Sequence, residues 1–303
     1  MYPYLNLGSI HIGTFGLLLW VAAVCATVVL HKNFVRNGVS TDALNVVALV
    51  VLAGILGAKA WHELEDPAQL AEAWRLILLP LHASNLPAWQ RPVDVVMDFL
   101  HWFQAGFAWY GGLLAAIATL MACGVSTRPN GLTGLRAALR MLDLAAPAAA
   151  LGYGVGRIGC LTSGDGDYGV NTTLPWGVHM MNGADQYHRA LVVPTPPTAA
   201  VQPTPVYELF FGLLLFWLLW TLASKARPLG WMTGLYLALA GVGRFLVEFV
   251  RVNPRLYFHG TMSNAQVASL ASVLFGLIVM LASRKNLAIE PVPLPPEARE
   301  ATA

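Results

Sequence analysis

Seven long apolar runs constrain the fold of this chain more than any other feature of its sequence. Each run approaches the roughly 20 residues that an α-helix needs to cross a bilayer. The runs lie near residues 11–31, 43–61, 106–124, 140–160, 205–224, 229–250 and 265–283. Only 11% of the 303 residues are charged, whereas about 25% is typical of soluble domains. The sequence therefore predicts an all-α polytopic membrane protein with seven transmembrane helices.

Basic residues are concentrated in alternate loops and in the C-terminal tail. They are His31, Lys32 and Arg36 in the first loop, Arg128 and Arg136 after the third run, Lys225 and Arg227 after the fifth, and Arg284 and Lys285 after the seventh. Loops rich in Lys and Arg remain in the cytoplasm. The pattern therefore predicts an N-terminus outside the cytoplasm and a cytoplasmic C-terminus.

Three segments differ from the apolar helices in composition. We expect a seven-helix membrane domain over residues 1–284, within which about 62–105 carries amphipathic, Trp-bearing stretches suited to an arm lying in the membrane interface. Residues of about 161–204 are rich in Gly, Asp, Thr and Pro and predict a small outer head. Residues 285–303 are rich in Pro and predict a disordered cytoplasmic tail.

Composition and motifs exclude several classes of function. The net charge of +2, without a basic cluster, gives no reason to expect a nucleic-acid partner. The three cysteines, Cys25, Cys123 and Cys160, lack the spacing of a zinc site. The sequence also has no HExxH, GxSxG, P-loop or dinucleotide-binding motif. We therefore expect neither a metal nor an organic cofactor.

The fourth run ends in GVGRIGCLTSGDGDYG, residues 154–169, which places Arg157 among glycines near the membrane surface. Arg157 is either an interface arginine that extends its guanidinium to water or an anion-binding residue, because its planar guanidinium suits phosphate oxygens. Gly156 and Gly159 would let the backbone approach such a ligand. Asp165 either orients a headgroup, acts as a base or caps a turn.

A second charged group lies in the sixth run, within GRFLVEFVR. Arg244 and Glu248 are four residues apart and therefore share a helix face, and Arg251 follows one turn later. The pair is either a structural ion pair or a functional one, because charges inside a membrane usually face the bundle interior or a polar cavity. In the functional interpretation Glu248 orients Arg244 towards substrate, while Arg251 recruits anionic lipid.

Polar residues also begin two of the other runs. Tyr110, before the glycine pair of WYGG, is either an interface tyrosine or part of a site. Tyr207 and Glu208 open the fifth run, and Glu208 could pair with an arginine. The residues alone thus indicate a membrane protein whose outer cavity binds an anionic lipid, and they do not define a reaction.

The order of these motifs resembles that of the bacterial prolipoprotein diacylglyceryl transferases. The matching stretches follow one another over nearly the whole chain: WYGG, GRIGCLTSGDGDYG, LPWG, PTPVYE and GRFLVEFVR. The resemblance implies a multi-pass protein of the bacterial cytoplasmic (inner) membrane, with its N-terminus in the periplasm. It also implies transfer of diacylglyceryl from phosphatidylglycerol to the lipobox cysteine in the signal peptide of a prolipoprotein.

The resemblance also suggests roles for individual residues. The expected catalytic residues are Arg157, Arg244, Glu248, Tyr110 and Asp165. The expected substrate-binding residues are Arg157, Arg251, Gly156, Gly159, Ser163, Tyr207 and Glu208. Several positions depart from the family pattern, in which His usually precedes the glycine pair. Tyr110 replaces this His, Cys160 and Ser163 each replace Asn, Asp165 replaces Glu, Phe15 replaces Tyr, and Gln202 replaces His.

These departures retain the phosphate-binding part of the motifs and alter the part associated with proton transfer. Tyrosine, with a pKa of about 10, is a poor base compared with histidine. Asp165 or Glu248 could accept the thiol proton instead, the arginines could lower the pKa of the thiol, or Cys160 could itself carry a lipid adduct. Three hypotheses remain: a diverged transferase of this family, a related enzyme with a different acceptor, and a catalytically impaired lipid-binding paralogue.

Overall fold

The computed structural model describes residues 4–7, 10–82, 87–104, 108–163, 168–179 and 199–296. Most of these residues are helical. The helices are α1 (Thr14–Arg36), α2 (Ala43–Glu65), α3 (Pro67–Leu78), α4 (Gln90–Gln104), α5 (Trp109–Thr127), α6 (Gly134–Ser163), α7 (Thr204–Leu222), α8 (Trp231–Val247) and α9 (Asn264–Ser283). Short 3₁₀ turns cover Leu79–His82 and Pro129–Gly131.

The strands of the described segments are short and form antiparallel pairs. The pairs are β1 (Tyr4–Leu7) with β2 (Ile10–Gly13), β3 (Val178–His179) with β4 (Ala200–Val201), β5 (Arg227–Pro228) with β8 (Ala288–Ile289), and β6 (Arg255–Tyr257) with β7 (Met262–Ser263). In the second pair Val178 lies opposite Val201, and in the third Arg227 lies opposite Ile289. These strands connect loops and helix ends.

The apolar helices agree with the prediction of a polytopic membrane protein. In the part of the chain that the structure describes, six helices are long and apolar enough to cross a membrane: α1, α2, α5 over residues 110–127, α6, α7 and α9. The predicted sixth run, near 229–250, forms the shorter apolar helix α8, which has 17 residues. The fourth run, predicted near 140–160, forms α6, which is longer at both ends and extends over Gly134–Ser163.

The chain divides into two compact units, one comprising Met1–Leu44 and Gly124–Ala303, the other Asn45–Cys123. In the first unit α6 packs against α1, α7 and α8, and α8 packs against α9. Helices α6 and α7 approach closely because glycines face each other: a Cβ added to Gly212 would lie 2.8 Å from the Cα of Gly154. The core beside this contact contains Ala146, Ala150 and Leu215.

A buried carboxylate stabilises the start of α8. Asp143 of α6 accepts hydrogen bonds from the backbone N–H of Gly230 at 2.6 Å and of Thr233 at 2.8 Å. The hydroxyl of Thr233 donates to the same carboxylate at 2.7 Å. The first N–H groups of a helix have no partner within the helix. Asp143 supplies partners from a neighbouring helix and so fixes α8 against α6.

The C-terminal segment differs from the disordered tail that the sequence predicts for 285–303. Strand β8 pairs with β5, and the N–H of Leu294 donates to the carbonyl of Val35 at 2.9 Å. Leu294 is buried. Proline-rich composition signalled disorder, but backbone hydrogen bonds and one buried leucine attach this segment as far as residue 296. Residues 297–303 lie outside the described part of the chain.

The second unit contains the two amphipathic helices of the predicted arm, α3 and α4. The ring of Trp74 on α3 lies 6.1 Å from Phe99 and 5.5 Å from Trp102 on α4, measured between ring centroids. Lys59 of α2 is buried, with its Nζ 2.7 Å from Glu63 Oε1 and 2.8 Å from the carbonyl of Trp102. Aromatic packing and this buried lysine thus hold α4 within the unit.

Candidate active site

Charged side chains from three helices of the first unit meet where α6 ends, α7 begins and α8 ends. Arg157 lies on the last turns of α6 and Glu208 on the first turns of α7. Arg244 lies near the end of α8, one turn before Glu248 at its C-cap. Arg251 follows α8 and forms a backbone bridge with Gly169. We call these residues, Arg157, Glu208, Arg244, Glu248 and Arg251, the arginine cluster.

Glu208 lies at the centre of the arginine cluster. Its Oε2 is 3.4 Å from Arg157 Nε and 3.5 Å from Arg251 Nη1, and its Oε1 is 3.5 Å from Arg244 Nη1. The carboxylate is buried. The sequence predicted that Glu208 could pair with one arginine, whereas the structure pairs it with three. Such sharing keeps three cations close together inside an apolar bundle.

Glu248 is the second carboxylate of the arginine cluster and is also buried. Its Oε2 lies 3.0 Å from Arg244 Nη2 and 3.9 Å from Arg251 Nε. Its Oε1 accepts hydrogen bonds of 2.6 Å from both Asn253 Nδ2 and Ser263 Oγ. Neutral donors therefore hold one oxygen while the other faces two arginines.

Ser263 has a second role, because it is the N-cap of α9. Its hydroxyl accepts from the N–H of Gln266, whose side chain in turn accepts from the N–H of Ser263. This reciprocal pair is a capping box. The serine thus joins the start of α9 to Glu248 and fixes the carboxylate relative to the helix.

Tyr153 contacts the arginine cluster from one turn before Arg157. Its hydroxyl donates to Glu208 Oε1 at 2.6 Å and accepts from Arg157 Nη2 at 3.2 Å. The Cζ of Arg157 lies 4.8 Å from the centroid of the tyrosine ring, within the range of a cation–π contact. Arg157 also donates from Nη1 to Cys160 Sγ at 3.7 Å.

The backbone after α6 is fixed beside the arginine cluster. Gly169 donates from its N–H to the carbonyl of Gln202, and Val170 donates to the carbonyl of Val250. A Cβ on Gly169 would collide with the Val250 carbonyl and lie 2.7 Å from Gln202 Cβ, so only glycine fits this crossing. Tyr168 before it is buried, and burial raises the pKa of its phenol.

Charge balance makes the arginine cluster suited to an anion. Three arginines face two glutamates, which leaves one positive charge in excess. Arg244 is the most exposed of the three, with 25% of its side chain accessible. Its Nη1 is buried and makes no hydrogen bond within the described residues. Guanidinium groups bind phosphate oxygens strongly, so the accessible part of the Arg244 side chain suits a phosphate.

Tyr207, predicted to bind substrate, lies beside Glu208 and joins α7 to the segment before β3. Its hydroxyl donates to Gln202 Oε1 and accepts from Trp176 Nε1 at 2.8 Å. Gln202 Nε2 donates to Thr172 Oγ1 at 3.2 Å. In the structure these bonds attach residues 172–176 to the start of α7. A substrate-binding role of Tyr207 stays a prediction.

The remaining residues of the predicted signature stretch are helical. Ser163 donates to the carbonyl of Cys160 at 3.4 Å, within the last turn of α6. A Cβ on Gly156 or Gly159 would face α1, at 3.7 Å from Leu19 and 3.4 Å from Phe15 respectively. The structure gives these glycines a packing role against α1, and their contact with substrate stays a prediction.

Two predicted catalytic residues are not brought into the arginine cluster by the described contacts. Tyr110 lies at the start of α5 in the second unit and is partly exposed. Asp165 lies outside the described residues. The glycine pair after Tyr110 has a packing role, because a Cβ on Gly112 would lie 3.1 Å from the carbonyl of Gly54 on α2.

Sequence reasoning missed three residues that the structure places against the carboxylates: Tyr153, Asn253 and Ser263. Tyr153 precedes Arg157 by four residues and therefore shares its helix face, which was a usable signal. Ser263 and Gln266 carry the Ser-x-x-Gln spacing of a capping box. Asn253 follows α8 in irregular structure and has no comparable signal. Within the described residues, no group of His, Cys, Asp and Glu could hold a metal.

The fold defines a polytopic membrane protein, and the arginine cluster places an excess positive charge at the ends of three of its helices. Comparison with known sequences adds the family. The model of the prolipoprotein diacylglyceryl transferase family matches residues 3–282. The chain therefore belongs to this family, and the resemblance inferred from its motifs is confirmed.

Individual relatives carry the same description. The chain is 28% identical over 272 residues to phosphatidylglycerol–prolipoprotein diacylglyceryl transferase 2 of Clostridium perfringens, covering 89% of this chain and 91% of the relative. It is 29% identical over 283 residues to the transferase of Clostridium tetani, covering 92% and 96%. Over 190 residues it is 34% identical to the Vibrio vulnificus transferase, covering 62% of each chain.

Proposed function

We propose that this chain transfers diacylglyceryl from phosphatidylglycerol to the lipobox cysteine of prolipoproteins. Its family and the names of its relatives support this reaction. The observation that carries the proposal is the excess positive charge of the arginine cluster, which suits the singly charged phosphodiester of phosphatidylglycerol. A phosphodiester is the only charged group of that lipid, so one excess cation matches its charge.

The arginines would act on the phosphate as its bond to the diacylglyceryl unit breaks. The sulfur of the lipobox cysteine forms a C–S bond to the diacylglyceryl carbon that carries the phosphate. The bond from that carbon to the phosphate oxygen breaks, and its electron pair stays on the oxygen. Glycerol phosphate leaves with a second negative charge. Arg157 and Arg244 stabilise that developing charge, and such preorganised electrostatics supply much of the acceleration in comparable sites. Glu208 and Glu248 orient the two guanidinium groups.

The thiol must lose its proton during the transfer. Glu248 is poorly suited to accept it, because two neutral donors and two arginines already surround its carboxylate. We assign the proton transfer to Asp165, and we assign to Asp165 and Tyr110 the places of the polar residues that are usual in the family. Substitution of Asp165 by Asn, against Asp167 by Asn as the neighbouring control, tests this assignment through the pH dependence of kcat.

The proposed setting is the bacterial cytoplasmic membrane, with seven spans that include α8. The arginine cluster gathers the C-terminal end of α6, the N-terminal end of α7 and the C-terminal end of α8, which supports three consecutive helices of alternating direction. The basic loops follow α1, α5 and α7 and precede α6 and α8. By the positive-inside rule, this distribution supports a periplasmic N-terminus, a cytoplasmic C-terminus and a periplasmic head over about 161–204.

A transfer assay with radiolabelled phosphatidylglycerol and a synthetic lipobox peptide tests the reaction. We expect a thioether-linked lipopeptide and release of glycerol phosphate, and no product from a peptide whose cysteine is replaced by serine. Label transferred to another acceptor would identify a related enzyme instead. Phospholipid binding without turnover would show that the altered proton-transfer residues have left a lipid-binding protein.

A further inference from the structure

Tyr153 contacts both Arg157 and Glu208, although it lies outside the motifs that identify the family. Its hydroxyl donates to Glu208 Oε1 at 2.6 Å and accepts from Arg157 Nη2 at 3.2 Å. One neutral group therefore links the carboxylate to an arginine. The ring lies beside the same guanidinium, 4.8 Å from its Cζ.

These contacts determine how Arg157 presents its guanidinium. Nε faces Glu208 Oε2 at 3.4 Å, Nη2 donates to the tyrosine hydroxyl, and the ring packs against the planar group. A free arginine side chain has many rotamers, and fixing it beforehand reduces the entropic cost of binding a ligand in one geometry. The contributions of the hydroxyl and the ring can be separated, because substitution by phenylalanine keeps the ring and removes the hydroxyl.

The same hydroxyl affects Arg244 through the shared carboxylate. Tyr153 donates to Glu208 Oε1 at 2.6 Å, whereas Arg244 Nη1 is 3.5 Å from that oxygen. That N–H is buried and makes no hydrogen bond in the described part of the chain. Tyr153 and Arg244 therefore share one carboxylate oxygen, and the shorter of the two contacts comes from the neutral donor.

We infer that Tyr153 is a positioning residue, which orients Arg157 directly and Arg244 through the Glu208 oxygen that they share. The inference rests on the proposed function and adds a residue that none of its motifs contains. The phosphate gains negative charge as the C–O bond breaks. Correctly oriented arginines therefore stabilise the transition state more than they stabilise the bound lipid. Loss of the hydroxyl should therefore lower kcat more than it raises KM.

The test compares Tyr153→Phe with Tyr236→Phe in the full-length protein. Tyr236 lies on α8 and packs against the apolar core, so its substitution removes a hydroxyl elsewhere in the membrane domain. We expect Tyr153→Phe to lower kcat/KM by about 10- to 100-fold, the effect typical of losing a hydrogen bond to a charged group. Tyr236→Phe should leave it unchanged. Thermal unfolding of both variants in detergent controls for misfolding.

A double-mutant cycle separates positioning from general stabilisation. Because the hydroxyl of Tyr153 links Glu208 to Arg157, Tyr153→Phe should lower kcat/KM by a smaller factor in the Glu208→Gln background than in the wild type. An additive loss in the double variant would overturn the inference. So would a kcat/KM of Tyr153→Phe equal to that of the wild type, or a loss that Tyr236→Phe reproduces.

A binding measurement keeps the inference distinct from the proposed reaction. Purified wild type and Tyr153→Phe are titrated with short-chain phosphatidylglycerol, and with short-chain phosphatidylcholine for comparison. We expect the phosphatidylglycerol Kd of the variant to rise by about threefold or more, even if no lipopeptide forms. If the Kd rises in Tyr153→Phe but the wild type forms no lipopeptide, the result contradicts the proposed function and leaves the role of Tyr153 supported. Unchanged binding together with unchanged kcat would contradict the role of Tyr153.

Discussion

Glu208 on α7 lies 3.4 Å from Arg157 on α6, measured between Oε2 and Nε, and the same carboxylate is 3.5 Å from both Arg244 and Arg251. One buried side chain is thus the common partner of three cations. In an environment of low dielectric constant, each of these interactions is stronger than in water. The geometry of all three arginines therefore depends on a single carboxylate.

Glu208→Gln should lower both stability and activity. The amide keeps the shape of the side chain but removes its charge, which leaves three arginines facing one carboxylate. Breaking a buried ion pair in this way costs about 3–5 kcal/mol of unfolding free energy. Thermal unfolding in detergent and the transfer assay measure the two effects. Glu72→Gln, which removes an exposed pair with Arg75 on α3, is the control, and equal effects of the two substitutions would contradict the central role of Glu208.

Arg157→Ala and Arg244→Ala should each abolish rescue of a bacterial strain that lacks its own transferase. Each substitution removes a guanidinium that stabilises the charge developing on the phosphate, and removal of one such donor typically costs about 100-fold or more in kcat. Colony growth and lipoprotein processing measure the result. Arg75→Ala, on the exposed face of α3, should rescue fully. Growth with both site variants would overturn the site assignment.

Asn253→Ala and Ser263→Ala form a matched pair, because each removes a 2.6 Å hydrogen bond to Glu248 Oε1. Both should reduce kcat by a similar factor, since both loosen the carboxylate that orients Arg244. Only Ser263→Ala also removes the N-cap of α9, so it should cost about 0.5–2 kcal/mol more in stability. Thermal unfolding distinguishes the two, and equal unfolding temperatures would contradict the dual role of Ser263.

Gly169→Ala should impair the protein through steric overlap with backbone. The added methyl group would collide with the carbonyl of Val250 and crowd Gln202, and such overpacking typically costs about 1–3 kcal/mol. Because Gly169 pairs with Arg251, activity should fall together with stability. Gly16→Ala is the control, since a Cβ there meets no atom within 4 Å. A fully active, stable Gly169→Ala variant would show that this crossing is adaptable.

Local patterns predicted much of the fold and part of the arginine cluster. Helical spacing placed Arg244 and Glu248 on one face, and their side chains are 3.0 Å apart. The convergence on Glu208 was not predictable in the same way, because it requires the C-terminal ends of α6 and α8 to lie at the same level as the N-terminal end of α7. That level depends on glycine contacts such as Gly154 with Gly212, which are visible only once the helices are packed.

The C-terminal segment shows the limit of composition as a guide. Its prolines and charges predicted disorder, yet β8 pairs with β5 and Leu294 is buried. The partners of this segment lie in the loop after α7 and at the end of α1, and no periodic pattern indicates them. Long-range pairing of two-residue strands leaves no recognisable signal in the sequence.

The sharing of Glu208 has a consequence for the order in which the chain enters the membrane. Arg157 is synthesised on α6 before the carboxylate on α7, and Arg244 follows on α8. An arginine at the end of an apolar helix costs less once a counter-ion lies beside it, so the arrival of α7 should favour the final depth of α6. Membrane insertion of these helices is therefore expected to be cooperative, with the fifth apolar run completing the placement of the fourth.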